Sequence, residues 1–331
     1  MEALRIVAIG GGTGLSTLLH GLKEYASPPC QVEITAVVTV TDDGGSSGRL
    51  RREFPVLPPG DIRNCLVALS EDEAVLSRLF QYRFSDGEGL KGHSFGNLFL
   101  TALSDITGDF ALAVKVSSQI LATRGRIFPS TARDVAIEAV LQDGVILHGE
   151  TSISRSTARI REIRLVPATC EPLPETLEAI QNADLITMGP GSLFTSVVPN
   201  LLVMGIPEAI RRSRALKACI VNLMWQPGET INFRASDHVD AIHQHAGGRL
   251  VDIAVLNNRP ISEALLRKYE LELARPVEND TERLREMSVE VAAADLLLEG
   301  ATVRHNPEAT AALVMELARE GRRRSQRRGP E

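Results

Sequence analysis

The stretch LRIVAIGGGTGLSTLLHGL, residues 4–22, decides the fold class. Residues 4–9 are apolar enough for a buried β-strand, and a run of glycines and one threonine, residues 10–14, follows at once. Leucines then recur at positions 15, 18, 19 and 22, which is the spacing of one face of a helix. A buried strand, a glycine-rich turn and an amphipathic helix indicate the first unit of a parallel α/β sheet.

Four later apolar runs predict further strands of the same kind, and helical patterns separate several of them. The runs are residues 34–40, 184–188, 218–223 and 251–256. Continuous apolar strands that alternate with helices predict a parallel sheet covered on both faces, so we predict a Rossmann-like, doubly wound α/β fold. Residues 146–166 are rich in β-branched and alternately charged residues, and they predict a small antiparallel β insertion.

Length and composition suit one large domain or two closely packed ones, with 331 residues of which 44% are hydrophobic. We expect a single α/β domain over residues 1–320. Asn306 is a good N-cap for the last helix, which we expect to run to about Glu320 and to end at Gly321. The five arginines that follow predict a flexible tail over residues 321–331, with an RNA or anionic-membrane tether as the alternative.

Composition also excludes several functional classes. A net charge of −6 and an aromatic content of 4% argue against nucleic-acid binding. No apolar run approaches the roughly 18 residues of a membrane span. The four cysteines are scattered without a CxxC pair, so we expect no zinc ribbon and a reducing, cytoplasmic location. Three clustered histidines, His238, His243 and His245, are expected to face solvent rather than to bind a metal.

The glycine loop after the first strand predicts an anion site. Gly11, Gly12, Thr13 and Gly14 let the backbone approach a ligand, and the following helix offers unpaired N–H groups to a phosphate. The loop is not a Walker A motif, and it departs from GxGxxG because the third glycine would fall at Leu15. A nicotinamide dinucleotide therefore stays possible but unspecified, and tight strand–helix packing is the alternative without a ligand.

The segment TDDGGSSGRL, residues 41–50, follows the second predicted strand and should lie at the same sheet edge. Asp42 and Asp43 are suited to ribose hydroxyls or to Mg²⁺ beside phosphates. Ser46 and Ser47 supply hydroxyl donors, and Arg49 could pair with a phosphate. A plain surface turn has a similar composition and is the alternative.

Three other motifs and a weaker fourth, NLMWQPGET, add candidate binding residues. Capped helices and simple turns would also explain the first three motifs. The second glycine-rich turn, GPGS, begins at Gly189 and follows another predicted strand. Two such turns at one sheet edge are stronger evidence for an anion cradle than either alone. The candidate ligand contacts from these motifs are Asn64, Asn97, Gly189, Gly191, Ser192 and Asn222.

Taken together, six motifs resemble the CofD-like superfamily, and more closely its YvcK branch of gluconeogenesis factors. The motifs are GGGTGLSTLL, TVTDDGGSSGRLR, PPGDIRNCL, GHSFGNLFL, GPGSLFTSVVPNLLV and QPGET, in this order. The resemblance implies a UDP-sugar-binding regulator, UDP-N-acetylglucosamine being the expected ligand, that links gluconeogenic growth to envelope synthesis and cell shape. It also implies that Arg304 binds the ligand and that Tyr269 stacks on its uracil.

The resemblance leaves two classes of function open. The YvcK branch implies a binding protein that needs no cofactor and whose ligand-bound form is recognised by an envelope-synthesis enzyme. We expect the protein to be a homo-oligomer. The CofD branch implies a transferase of the 2-phospho-L-lactate type acting on a nucleotide-activated substrate, with Asp42 and Asp43 holding Mg²⁺. An NAD(P) oxidoreductase is the weakest alternative, because the glycine pattern is incomplete.

Overall fold

A seven-stranded sheet forms the centre of the molecule. The computed structural model describes residues 3–28, 31–71 and 75–327. The strand order is β10-β9-β8-β7-β1-β2-β3, and every neighbouring pair is parallel. The strands are β1 Leu4–Gly10, β2 Val32–Val38, β3 Arg126–Pro129, β7 Leu185–Met188, β8 Leu216–Ile220, β9 Ile253–Asn257 and β10 Glu290–Ala294. The predicted Rossmann-like parallel sheet is therefore confirmed.

Helices flank this sheet. They are α1 Gly12–Lys23, α2 Gly45–Glu53, α3 Gly60–Leu69, α4 Val75–Gln81, α5 Phe95–Thr107, α6 Phe110–Ile120, α7 Glu150–Arg155, α8 Pro174–Gln181, α9 Val198–Leu201, α10 Ile206–Arg212, α11 Ala235–His245, α12 Glu263–Glu270, α13 Thr281–Glu286 and α14 Pro307–Arg327. A π-helical turn, Leu193–Val197, precedes α9. The four leucines of α1 are fully buried, and each such burial contributes roughly 1.5–3 kcal/mol. The leucine spacing thus predicted the core-facing side of α1.

The order in which the chain adds strands to the sheet reverses between β1 and β7. From β1 the chain adds β2 and β3 on one side, and it later returns to add β7, β8, β9 and β10 on the other. The loops after β1 and β7 meet at this point and border a crevice at the carboxyl ends of these two strands. In open α/β sheets this switch point is where ligands bind.

The antiparallel insertion is present, but it is larger than predicted and contains a helix. Strands β4 Ala136–Leu141, β5 Ile146–His148 and β6 Ile160–Val166 form a three-stranded sheet in the order β5-β4-β6. Both strand pairs are antiparallel. Helix α7 lies between β5 and β6, where the composition predicted only strands. A last antiparallel hairpin joins β11 Leu297–Glu299 to β12 Val303–His305.

Helix α14 continues beyond the predicted end at Glu320, so the prediction of a flexible tail is wrong for residues 321–327. Gly321 does not end the helix. A Cβ at Gly321 would lie 2.1 Å from the carbonyl oxygen of Asp184, so glycine permits close packing here. Arg322 then pairs with the Asp184 carboxylate at 2.6 Å, and Arg324 pairs with Glu290 at 2.7 Å. Residues 328–331 lie outside the described part of the chain.

The three clustered histidines do not face solvent as expected. His238 is buried and its Nδ1 lies 2.9 Å from the Arg234 carbonyl oxygen. His243 and His245 accept hydrogen bonds from the backbone N–H groups of Val251 and Ile163. Each side chain ties α11 to a neighbouring segment or to its own preceding turn, which the histidine spacing alone could not indicate.

Within the described residues, no single helix is long and apolar enough to cross a membrane. The adjoining helical segments Leu193–Leu201 and Ile206–Arg212 would meet those criteria only when taken together, and they are bent by 76° relative to each other.

Candidate functional site

A cleft of about 200 Å³ opens at the switch point between β1 and β7. It receives residues from four separate segments: the β1–α1 loop, the turn after β7, the loop after β8, and strand β12. Eight of the predicted site residues line it together. They are Gly11, Gly12, Thr13, Gly14, Gly191, Ser192, Asn222 and Arg304. We refer to this cavity as the switch-point cleft.

The N-terminus of α1 points into the switch-point cleft. The helix begins at Gly12, whose φ of +61° favours glycine, and its N-cap is Gly11. The N-cap residue Gly11 has no side chain that could cap this end, and the first turn contains no acidic residue. The first N–H groups of a helix carry partial positive charge, so this end suits a phosphate or another anion.

The two glycine-rich loops are in direct contact. A Cβ on Gly14 would lie 2.6 Å from the Pro190 carbonyl oxygen and 2.7 Å from the backbone nitrogen of Gly191. Gly191 has φ +151°, which also favours glycine, and its own Cβ position is 3.3 Å from the Gly11 carbonyl oxygen. Gly189 shapes the same turn with φ +84°, and its N–H bonds to the Ile9 carbonyl, but it does not line the cleft.

A row of hydrogen-bonded polar side chains forms one wall of the cleft. Asn222 donates from Nδ2 to Oε1 of Gln226 at 2.8 Å. Gln226 donates in turn from Nε2 to Oγ of Ser192 at 2.8 Å. This row joins the loop after β8 to the turn after β7, and it therefore holds the two loops at a fixed separation.

Buried Glu229 supports the turn after β7 from behind. One of its carboxylate oxygens accepts from the Phe194 N–H and the other from the Thr195 hydroxyl, each at 2.9 Å. Burial raises the pKa of Glu229, while these hydrogen bonds oppose that rise. The carboxylate fixes the π-helical turn and does not line the cleft.

Strand β12 closes the opposite side of the cleft and presents Arg304, whose side chain is exposed. Tyr269 does not line the cleft, and the stacking role expected for it stays a prediction. Its hydroxyl accepts a hydrogen bond from the Val303 N–H at 2.8 Å, so it holds the strand that carries Arg304. The ring belongs to a small apolar cluster around Met224, Ile261, Ala274 and Leu297, separate from the main core.

A group of carboxylates lies beside the glycine loop. Asp61 accepts a hydrogen bond from the Gly12 N–H, and burial together with the nearby Asp42 carboxylate raises its pKa to about 7. Burial, then the carboxylates of Asp42 and Asp61, raise the pKa of Glu150 to about 9. Burial also raises the pKa of Asp42, although the Gly44 N–H and the Ser47 hydroxyl oppose it. We call Asp42, Asp61 and Glu150 the carboxylate group.

Asp43 does not join this group as the predicted partner of Asp42. Its Oδ1 accepts from the Thr151 N–H at 2.9 Å and from the Thr151 hydroxyl at 2.6 Å. Asp43 therefore stabilises the N-terminus of α7 in the antiparallel insertion. That contact also brings Glu150, the first residue of α7, toward the cleft side of the sheet.

The other predicted binding residues are placed around the carboxylate group or farther away, outside the switch-point cleft. Ser46 lies 3.0 Å from Nδ1 of His93, and Asn97 donates weakly to Ser47 at 3.4 Å. Arg49 donates to the Lys91 carbonyl instead of facing a phosphate. Asn64 accepts from Arg63 and lines a different cavity. Adjacent residues on a helix face different ways, so a motif cannot place every member at the ligand.

Sequence reasoning did not assign several residues that the structure brings to the site. Asp61 was not among the predicted ligand contacts, although the motif PPGDIRNCL contains it. Glu150 carries no local signal, since the insertion brings it in from a distant part of the chain. Ser196 and His305 also line the cleft. Burial lowers the pKa of His305 to about 4, so its imidazole is neutral at physiological pH.

The carboxylate group offers too few side chains to hold a metal ion without a ligand's help. Within residues 3–28, 31–71 and 75–327, no three carboxylate, histidine or cysteine side chains converge as a metal set. Mg²⁺, however, is commonly held by one or two carboxylates together with substrate phosphates. Asp42 and Asp61, two neighbouring acids with raised pKa values, fit that mode, whereas the adjacent pair of Asp42 and Asp43 does not.

Comparison with protein families identifies the chain. The profile of the 2-phospho-L-lactate transferase CofD family matches residues 6–297, which include both glycine-rich turns and all of the parallel sheet except the first two residues of β1. This chain belongs to the CofD family. The expected relationship is therefore confirmed at the level of the family.

Three relatives of this chain are named gluconeogenesis factors or putative gluconeogenesis factors. The gluconeogenesis factor of Bacillus subtilis is 46% identical over 317 residues, which is 96% of this chain and 98% of that protein. The gluconeogenesis factor of Halalkalibacterium halodurans is 48% identical over 317 residues, covering 96% and 97% of the two chains. A putative gluconeogenesis factor of Nostoc is 50% identical over 316 residues, 94% of this chain and 68% of that protein.

The fold of this CofD-family chain also matches a solved structure. A crystal structure of a UPF0052 family protein from Bacillus halodurans superposes with a TM-score of 0.91 at 47% sequence identity. The match covers 95% of this chain and all of the other.

Proposed function

We propose that this CofD-family chain binds a UDP-sugar, with UDP-N-acetylglucosamine as the representative ligand, in the switch-point cleft. In this proposal it acts as a regulator that links gluconeogenic growth to cell envelope synthesis and cell shape. The occupied form is recognised by an enzyme of envelope synthesis. The names of the relatives support the metabolic part of the proposal, since they are called gluconeogenesis factors.

One observation carries the proposal: the N-terminus of α1, the turn at Gly191 and Arg304 line one cleft. Backbone N–H groups and an arginine are the usual means of binding a diphosphate. The position at the switch point supports the same ligand class, because nucleotides bind at this place in open α/β sheets.

The composition of the cleft favours binding over turnover. Among the described residues that line it, none is aspartate, glutamate, cysteine or lysine. His305 is the one titratable side chain there besides Arg304, and burial keeps its pKa near 4. A neutral, buried imidazole with so low a pKa is a poor general base at neutral pH.

The test is calorimetric titration with UDP-N-acetylglucosamine, UDP-glucose, GDP and NAD, each in EDTA. We expect the UDP-sugars to bind without metal and to be recovered unchanged. Arg304→Ala should weaken binding about tenfold or more, because it removes a charge-assisted contact. Arg267→Ala is the matched control, since Arg267 is exposed on α12 and pairs only with Glu263. Absence of UDP-sugar binding would overturn the proposal.

A Mg²⁺-dependent transferase similar to 2-phospho-L-lactate transferase is the second candidate, and the carboxylate group favours it. Asp42 and Asp61 would hold the ion, which would neutralise charge on the phosphates of a nucleotide-activated substrate. Product analysis of the titration mixtures with an added hydroxyl acceptor, with and without Mg²⁺, separates the two candidates. Metal-dependent consumption of the nucleotide would favour the transferase, and Asp42→Asn should then abolish it.

A test of the proposed cellular role requires a strain that lacks the gene for this chain. We expect slow growth and altered cell shape on a gluconeogenic carbon source, restored by the wild-type chain and not by Arg304→Ala. Restoration by both chains would separate the growth role from UDP-sugar binding.

A further inference from the structure

The motif PPGDIRNCL contains an arginine whose position the proposed function does not explain. Arg63 lies near the N-terminus of α3, where a positive charge opposes the helix dipole. It lines a cavity of about 610 Å³, together with Asn64 of the same helix, Thr17 of α1 and Arg78 of α4. This volume is within the roughly 300–1,000 Å³ of small-molecule sites. We call this space the α1–α3 cavity.

The α1–α3 cavity extends along α1, away from the switch-point cleft. Thr13, Thr17 and His20 line it and lie on one face of α1, at the spacing i, i+4 and i+7. Thr13 and Thr17 also line the cleft, whereas His20 does not. Because seven residues of an α-helix rise about 10 Å, the far end of the cavity lies well outside the cleft.

Cationic side chains line the α1–α3 cavity without a counter-charge. The described residues that line it include Arg63, Arg78 and His20, and none of them is an aspartate or a glutamate. Arg78 is exposed on α4 and forms no hydrogen bond or ion pair with another described residue. Glu71, which follows α3 closely, approaches Arg124 at 3.4 Å and does not line the cavity. The charge of the cavity therefore favours an anion.

Several side-chain N–H groups in the cavity are left available for a ligand. Arg63 donates from its terminal nitrogens to Ser94 Oγ at 3.0 Å and to Asn64 Oδ1 at 2.6 Å, and each nitrogen carries a second N–H. The Nδ2 group of Asn64 has no partner among the described residues. Gln81 is exposed at the end of α4, and its amide makes no hydrogen bond to another described residue. An occupant rich in acceptor oxygens would satisfy these donors.

The rest of the cavity surface is mostly polar. Ser16 and Thr17 donate their hydroxyl hydrogens to the Thr13 carbonyl at 3.0 and 2.7 Å, so their oxygens are left as acceptors. Of the described residues that line the cavity, three are apolar: Val67, Ala68 and Pro307. Acceptor oxygens beside cationic and amide donors suit the hydroxyl groups and the phosphate of a sugar phosphate better than an apolar molecule.

We propose that the α1–α3 cavity is a second ligand site, which binds a small phosphorylated metabolite of the sugar-phosphate class. Arg63 and Arg78 supply the positive charge for its phosphate, and the hydroxyl and amide side chains bind its hydroxyl groups. The inference goes beyond the proposed function and does not depend on it, because neither arginine lines the switch-point cleft.

Calorimetric titration tests the assignment, with glucose 6-phosphate as the probe and glucose as its uncharged counterpart. The wild-type chain should bind glucose 6-phosphate, and Arg78→Ala should weaken this binding about five- to tenfold, because it removes a charged donor. Gln81→Glu should weaken it as well, since it places a carboxylate of similar size in the same cavity. Both residues are exposed, and thermal melts check that each variant is folded. Arg267→Ala, at an exposed arginine of α12, is the matched control.

A variant of the cleft separates this site from the proposed function. Arg304→Ala should bind glucose 6-phosphate as tightly as the wild-type chain does, because Arg304 does not line the α1–α3 cavity. Equal weakening by Arg304→Ala and Arg78→Ala would place the phosphate in the switch-point cleft and would overturn the inference. Absence of glucose 6-phosphate binding, or equally tight binding of glucose, would overturn it too. Failure to bind UDP-N-acetylglucosamine contradicts only the proposed function.

Discussion

At the scale of single residues, the cleft depends on glycines that permit two backbones to touch. Gly14 is on the first turn of α1, and its Cα faces the Pro190–Gly191 peptide. Any Cβ at this position meets backbone atoms that cannot rotate away. The requirement is therefore steric and local, and it explains a glycine inside a helix where alanine would otherwise be favoured.

Gly14→Ala should separate the two glycine-rich loops. The added methyl group would lie 2.6 Å from the Pro190 carbonyl oxygen, so the helix or the turn must move. We expect a loss of about 1–3 kcal/mol in the free energy of unfolding and at least a tenfold loss in UDP-sugar affinity. Denaturant unfolding and calorimetry measure the two effects. Gly300→Ala is the control, since the nearest atom to its Cβ is 3.9 Å away.

Asp61 is the second residue that affects ligand binding, because its carboxylate competes with the ligand for the Gly12 N–H. Its carboxylate accepts from the Gly12 N–H, one of the groups expected to face a phosphate. Burial, together with the nearby Asp42 carboxylate, raises its pKa to about 7 in the folded chain. The side chain is therefore largely neutral below pH 6 and largely ionised above pH 8, where its charge repels an anionic ligand.

The affinity for UDP-N-acetylglucosamine in EDTA should consequently fall as the pH rises through 7. The ligand has no group that titrates in this range, so the change reports on the protein. Asp61→Asn should remove this part of the pH dependence and bind about three- to tenfold more tightly at pH 8. Titrations at pH 6 and pH 8 measure the difference, with exposed Asp105→Asn as the control. A steep pH dependence that persists in Asp61→Asn would contradict this role.

At the scale of secondary structure elements, helix α14 shows how a tertiary contact overrides a local signal. Glycine followed by an arginine run is typical of a helix end and a disordered tail. Here Gly321 packs against the Asp184 backbone, and Arg322 pairs with the Asp184 carboxylate just before β7. The helix thereby stabilises the start of the strand whose other end carries the Gly189–Ser192 turn.

Arg322→Ala should destabilise the chain by about 2 kcal/mol, because a partly buried aspartate loses a charged hydrogen-bond donor. Arg323→Ala is the matched control, since Arg323 pairs with Glu320 on the exposed side of the same helix and should cost less than about 0.5 kcal/mol. Denaturant unfolding measures both. If Arg322→Ala unfolds at no lower free energy than Arg323→Ala, the pair between Arg322 and Asp184 does not stabilise the fold.

Prediction from the sequence succeeded where the chemistry is local. Strand, glycine loop and helix follow from the spacing of apolar residues and glycines, and strand order places the Gly11 and Gly191 loops at one edge. It failed where partners are distant in sequence. Asp43 is separated from Thr151 by 108 residues, and Tyr269 from Val303 by 34, so neither role is visible in a motif.

At the scale of the whole molecule, the cleft is assembled by topology rather than by any one segment. Its walls come from the loops after β1, β7 and β8 and from β12, which are far apart in the chain. The row of Asn222, Gln226 and Ser192 joins the loop after β8 to the turn after β7, and the Gly14–Gly191 contact joins that turn to the β1–α1 loop. A ligand that touches all of them should stabilise them as a unit.

Hydrogen–deuterium exchange with and without UDP-N-acetylglucosamine tests this coupling. Protection should increase together in the first turn of α1, the turn at Gly191, the Asn222–Gln226 loop and β12, because one ligand contacts all four segments. The segment around Asn182, at the opposite edge of the sheet, should exchange at the same rate in both samples and serves as the internal control. In Arg304→Ala the joint protection should decrease at every segment at the same ligand concentration, since the ligand binds more weakly. Protection confined to the first turn of α1 would instead indicate that a phosphate alone is bound and that the cleft does not close around a larger ligand.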